Sequence, residues 1–144
     1  MRYIFGLILF LHIQVFAFEE DLIFLNVNLN SIPTSEGYII YDVYDNEFDY
    51  KAKSHSLISS RVTANKGELN LKLAVPKSGF YAFVAFHDAN SNGILDRNII
   101  GMPKEVFGIS NITRKLWSDP KWDEVKFLVN PDIENTINIK MKYQ

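Results

Sequence analysis

The stretch Gly67–Val75, GELNLKLAV, decides the class of this fold. Leu69, Leu71, Leu73 and Val75 alternate with Glu68, Asn70 and Lys72. A period of two places the leucines on one face of an extended chain and the polar residues on the other. That is the mark of a strand with one buried face. NTINIKMKY repeats the pattern near the C-terminus, with Ile137, Ile139, Met141 and Tyr143 against Asn138, Lys140 and Lys142. DLIFLNVNL sets Ile23, Leu25 and Val27 inward, and YIIYDVYD does the same with Ile39, Tyr41 and Val43. SLISSRVTA reads as another strand, and DEVKFLVN turns Val125, Phe127 and Val129 inward. GFYAFVAFHD is apolar on both faces, as a central strand covered on both sides would be.

These segments are punctuated by turn chemistry: NSIPTSEG, NKG, PKSG and NPD. No stretch shows a helical period with caps. The expected fold is all-β, a sandwich of about seven antiparallel strands of the immunoglobulin-like or transthyretin-like kind. One long loop follows the central strand, from Asp88 to about Lys121. Loops of that length are uncommon and often functional.

The N-terminal MRYIFGLILFLHIQVFA pairs a basic residue, Arg2, with a short apolar run, and it ends Val15-Phe16-Ala17. It reads as a secretory signal peptide cut after Ala17. The run is shorter than the roughly 20 apolar residues of a membrane span, and no Cys follows it to carry a lipid. Residues 18–144 then form one domain, with no later segment able to span a bilayer as a helix. The expected destination is the periplasm or the extracellular space. The chain has no Cys, so an exported domain of this size must stand on packing, or on packing plus a metal. Of the 15 Lys and Arg, all but Arg2 lie beyond the signal, leaving 14 against 17 acidic residues. That mild acidity argues against nucleic acid, which selects a basic face.

The long loop opens HDANSNGILD. Asp88, Asn90 and Asn92 stand at i, i+2 and i+4, followed by Gly93, Ile94, Leu95 and Asp96. An EF-hand calcium loop uses side-chain oxygens at positions 1, 3 and 5, Gly at 6, a backbone carbonyl at 7 and often an acid at 9. The carbonyl would be that of Ile94. Position 12, a bidentate Glu in EF-hands, is Ile99 here. An EF-like loop on a β-scaffold would therefore take its remaining oxygen from Glu105, from another loop or from water. The competing reading needs no metal, because Asn, Asp and Gly also build self-bonded turns.

His87 precedes Asp88 and is expected to bond a loop carbonyl rather than bind metal. Only His55 and His87 follow the signal, so a zinc site would need several carboxylates as well and is not expected. Nucleophilic catalysis lacks a Cys or a G-x-S-x-G, so no catalytic residue is assigned. YDVYDNEFDY gathers Asp42, Asp45, Glu47 and Asp49 among Tyr41, Tyr44, Phe48 and Tyr50. It is either an acidic aromatic patch that binds or cleaves a sugar or peptide, or a connection with a solvated edge. Trp117 and Trp122 flank Asp119-Pro120 and are expected to close an end of the sandwich.

LAVPKSGFYAFVAFHDANSNGILDRNIIGMPKEVFGISN resembles the signature of a family of secreted bacterial proteins, domain of unknown function 2141. Gly79, Tyr81 and Ala82 match its strand, and His87, Asp88, Asn90, Asn92, Gly93, Leu95 and Asp96 match its loop. Gly101, Pro103, Glu105, Gly108, Ser110 and Asn111 match its tail, while Val106 and Ile109 depart from a usual Gly and Phe. Trp122, Val125 and Phe127 fit a late strand. The resemblance implies an exported β-sandwich and brings no activity. The functional expectation is a non-enzymatic exported protein whose loop, with or without calcium, supports a surface for a protein or glycan partner. A structural accessory subunit of a cell-surface complex is a further expectation.

Overall fold

The computed structural model describes residues 22–114 and 118–143. The expected signal peptide and Trp117 lie outside them. Eight strands and two short helices follow in the order β1 (Ile23–Ile32), β2 (Tyr38–Tyr44), α1 (Glu47–Ala52), β3 (Ile58–Thr63), β4 (Gly67–Val75), β5 (Gly79–Asp88), β6 (Phe107–Ile109), α2 (Trp122–Val125), β7 (Phe127–Val129) and β8 (Asn135–Lys140). One sheet has the order β4-β1-β8. The other runs β3-β2-β5-β6, with β7 also paired to β5.

The alternating residues do what their period demands. Leu25, Val27 and Leu29 of β1, Leu71 and Leu73 of β4, and Ile139 of β8 meet Ile39, Tyr41 and Val43 of β2 and Tyr81, Phe83 and Ala85 of β5 in one core. Tyr41 and Phe83 stack there with ring centroids 5.6 Å apart. Strand β5 is buried on its second face as well. Ala82, Val84 and Phe86 pack with Tyr44, Tyr50, Phe107, Ile112, Trp122 and Val125 in a smaller cluster. The two segments carrying α1 and α2 therefore cover the outer side of the five-stranded sheet, and β5 is its doubly covered middle.

Three features depart from the sequence expectation. The β1–β8 pair is parallel, with Leu25 opposite Asn135 and Leu29 opposite Ile139, whereas an all-antiparallel sandwich was expected. Period two is identical in parallel and antiparallel strands, so alternation is silent on direction. The span after Asp88 contains a strand of its own, β6, paired with β5 through Val84–Ile109 and Phe86–Phe107. Three residues are too few to show a period. The third departure is helical: Glu47–Ala52 and Trp122–Val125 each form short helices. Asn46 caps the first by accepting from the Asp49 amide at 2.9 Å, a local bond that starts a helix too short to carry an amphipathic stripe.

Phe107 and Lys142 exchange both backbone hydrogen bonds, each at 3.0 Å, and so lace β6 to the chain end beyond β8. One side of the sandwich is thereby closed, and β4 and β3 are the outer strands on the other.

Candidate functional site

The long loop begins where β5 ends. Asp88 is fully buried and pairs with Tyr38 across the β2–β5 ladder. Its carboxylate accepts from the Asn92 amide at 3.0 Å through Oδ1 and from the Gly93 amide at 2.8 Å through Oδ2. Asn90 Oδ1 accepts from the Asn92 amide at 3.1 Å, and Asn92 Oδ1 from the Ile94 amide at 2.9 Å. The two side-chain amides then donate to Asp96: Asn90 Nδ2 at 2.7 Å and Asn92 Nδ2 at 3.2 Å to each oxygen. Ser91 and Gly93 take positive φ of 61° and 81°, which lets the chain wrap tightly around Asp88.

Asp88, Asn90, Asn92 and Asp96 are thus brought together in one turn, and Ile94 joins them through its amide N–H rather than the carbonyl expected of a calcium ligand. Glu105 plays another part. Its Oε1 accepts from the Ala89 amide at 3.2 Å and its Oε2 from the Asp96 amide at 3.1 Å. The carboxylate straps the two ends of the turn. The Lys104 amide adds a bond to the Asp96 carbonyl at 2.8 Å.

As a donor set for calcium, these residues offer the carboxylates of Asp88 and Asp96 and two amide oxygens. Among the described residues no group of three His, Cys, Asp or Glu is gathered closely enough to hold a metal. The amide oxygens of Asn90 and Asn92 serve backbone N–H groups, while their nitrogens face Asp96. A cation beside Asp96 requires those amides to present oxygen instead. The residue types fit a weak hard-cation site, and the hydrogen bonding is complete without one. Among the described residues, no buried side-chain nitrogen or oxygen lacks a partner.

A second turn follows. Asn98 Oδ1 accepts from the amides of Ile100 and Met102 at 3.1 and 2.9 Å, and Arg97 donates to the Gly101 carbonyl at 2.8 Å. Ile94, Ile99 and Ile100 project from this braced backbone with exposures of 61, 104 and 77 %. Sequence reasoning examined Ile99 only as a missing ligand and passed over the exposure of all three; three isoleucines among turn residues were the available signal.

The tail of the stretch is structural. Gly108 lies where a Cβ would come within 2.5 Å of Ile139 Cγ2, so only Gly lets β6 approach the edge of β8. Ser110 Oγ accepts from the Phe83 amide at 3.0 Å and donates to the Val125 carbonyl at 2.7 Å. Asn111 donates to the Lys126 carbonyl at 2.7 Å. His87 is buried and its Nε2 donates to the Glu36 carbonyl at 2.7 Å, as expected of a structural histidine. It lines a cleft of about 160 Å³ with Glu105, Lys104, Glu36 and Tyr143 at the base of the loop. A larger cavity of about 390 Å³ lies elsewhere, against Phe24, Lys72 and Ile133.

The acidic stretch loses its aromatic half. Tyr41, Tyr44 and Tyr50 are buried, and Phe48 alone of the four is exposed. Asp42 accepts from Ser56, Asp45 from Asn46, and Glu47 pairs with Lys51 one helical turn on. None of Asp42, Asp45 and Glu47 lines either cavity. Trp122 is buried in the outer cluster, near Tyr50, whose hydroxyl donates to the Pro120 carbonyl at 3.0 Å. Burial, then the charges of Asp119 and Glu124, push the Tyr50 phenol up to about 12.

No helix among the described residues is long and apolar enough to cross a membrane. No curated protein and no solved structure matches the chain. The model of a family described as an uncharacterized protein conserved in bacteria, domain of unknown function 2141, matches residues 27–138, and the chain belongs to that family.

Proposed function

We propose that this is an exported, non-enzymatic binding protein whose loop from Asp88 to Asn111 is a recognition platform for a protein partner. The carrying observation is the pairing of three exposed isoleucines with a backbone held by Asp88, Asn98 and Glu105. Exposed aliphatic side chains on a mobile loop lose entropy when they dock. On a pre-braced loop that cost is already met, which favours binding. The cluster of Asp88, Asn90, Asn92, Ile94 and Asp96 takes calcium weakly in this reading. With two carboxylates, its dissociation constant falls on the order of 10⁻⁴–10⁻³ M, the range of extracellular modules.

The test uses the purified exported protein. Immobilised chain is probed with an exported-protein extract of its own host, with and without calcium. Replacing Ile99 and Ile100 by Ser is expected to abolish a specific capture while leaving the melting temperature unchanged. Capture that survives the double substitution would sink the platform. The calcium part is read separately. Ten times the dissociation constant of calcium stabilises by RT ln 11, about 1.4 kcal/mol, a rise of roughly 4 °C. Asp96→Asn is expected to remove that rise. Identical melts in EDTA and in several millimolar calcium would make the loop a self-bonded turn.

A further inference from the structure

We infer that strand β4 is a self-pairing edge, and that two copies of this chain associate through it in an antiparallel, two-fold manner. β4 is nine residues long, contains no Pro and, among the described residues, pairs only with β1. The Glu68 carbonyl accepts from the Asn65 side-chain amide at 2.8 Å; past that bond the outer edge is an open ladder, the kind of edge that proteins usually block or use.

The side chains specify how it is used. With the two-fold axis at Asn70, Glu68 of one copy stands opposite Lys72 of the other, twice, and Asn70 faces Asn70. All three are exposed on the outer face of the sheet. Neither Glu68 nor Lys72 has an ion-pair partner among the described residues. Lys72 rests over the Phe24 ring, 4.3 Å from its centroid, and would leave that ring to reach Glu68 of the second copy. On the inner face, Leu69 meets Leu71 and Leu73 meets Gly67, so the apolar layer runs on across the seam. Neighbouring registers fail. An axis at Leu71 sets Lys72 against Asn70, and an axis at Leu69 sets Lys72 against Lys66. Registers that differ by one residue place leucines opposite polar side chains. An isologous pairing of this kind closes on itself and yields a dimer rather than a fibre. Because the seam is a single strand wide, the dimer is a weak one.

The full gene is expressed in a bacterial host, and the exported product is analysed by sedimentation over a range of concentrations. A reversible monomer–dimer equilibrium is expected. Glu68→Lys sets Lys against Lys twice and is expected to weaken dimerisation at least tenfold; Glu68→Lys with Lys72→Glu is expected to restore it. Low salt should sharpen the contrast. Register is tested in this Cys-free chain with Asn70→Cys and copper phenanthroline. Asn70→Cys is expected to cross-link to a covalent dimer, whereas Glu68→Cys, four residues out of register with its own copy, is not. Thermal melts check that each variant is folded. A monomer at every concentration, a dimer indifferent to Glu68→Lys, or equal cross-linking at both positions would overturn the proposal.

Discussion

At the scale of single residues, the loop is governed by two carboxylates with different tasks. Asp88 is buried with one backbone donor on each oxygen. Asp88→Asn would turn an NH₂ against one of those N–H groups, leaving two donors face to face. Such a loss is expected to cost about 1–3 kcal/mol, measurable as a lower urea midpoint with unchanged slope. Glu105 is half-buried, and Glu105→Ala frees the amides of Ala89 and Asp96 together. Faster hydrogen exchange at these two amides, with little change in the strands, is the expected readout. Gly37 supplies a third case. It takes a φ of 68°, and a Cβ there would lie 2.0 Å from the Asp88 carbonyl. Since that obstacle is backbone, Gly37→Ala is expected to destabilise by about 1–3 kcal/mol or more, seen as a lower melting temperature. The oxygen-donor spacing of the loop was legible in the sequence because those contacts are local. Glu105 was legible only as an acid nearby; its use as a strap depends on how the chain returns.

At the scale of elements, burial and charge meet around α1. Tyr50, on the inner side of this six-residue helix, packs edge-on to Tyr44 and tilted against Trp122. Burial also raises the Tyr44 phenol, with Asp42 and Asp49 adding to it. A phenol whose folded value exceeds its unfolded value favours folding in its protonated form. Its contribution is fully present below about pH 10, the ordinary value, and is lost as pH climbs through about 12 for Tyr50. Stability is therefore expected to fall between those limits, and Tyr50→Phe should flatten that fall. Denaturant titrations at several alkaline pH values, with ultraviolet absorbance to follow phenolate, would read it. The sequence showed β1, β2, β4 and β8 by their period, β5 by its apolar run on both faces, and β3 and β7 within its further strand segments. It hid α1, α2 and β6, because helices of six and four residues are too short for a helical period and β6 has only three residues, so all three owe their form to caps and neighbours.

At the scale of the whole molecule, the parallel β1–β8 pair ties the two ends of the described chain into one sheet. Asn135 secures the entry to β8 by accepting from the Asn130 amide at 2.9 Å and donating to its carbonyl at 3.0 Å. Deleting the chain from residue 130 onward strips β8 from β1 and uncovers Leu25, Val27 and Leu29. The truncated protein is expected to lose cooperative unfolding, visible as a broad, probe-dependent transition. Sequence alone determined that the protein is all-β, which faces of its strands are buried and where the polar loop begins. Those are consequences of the two-residue period and of residue chemistry, both written along the chain. That β8 runs parallel to β1 and that the tyrosines of the acidic stretch are interior came from long-range packing. It also decided that Glu105 closes the loop and that β4 stands at an edge. Each of these joins segments distant in sequence, so it is set by packing and main-chain pairing that no local pattern encodes.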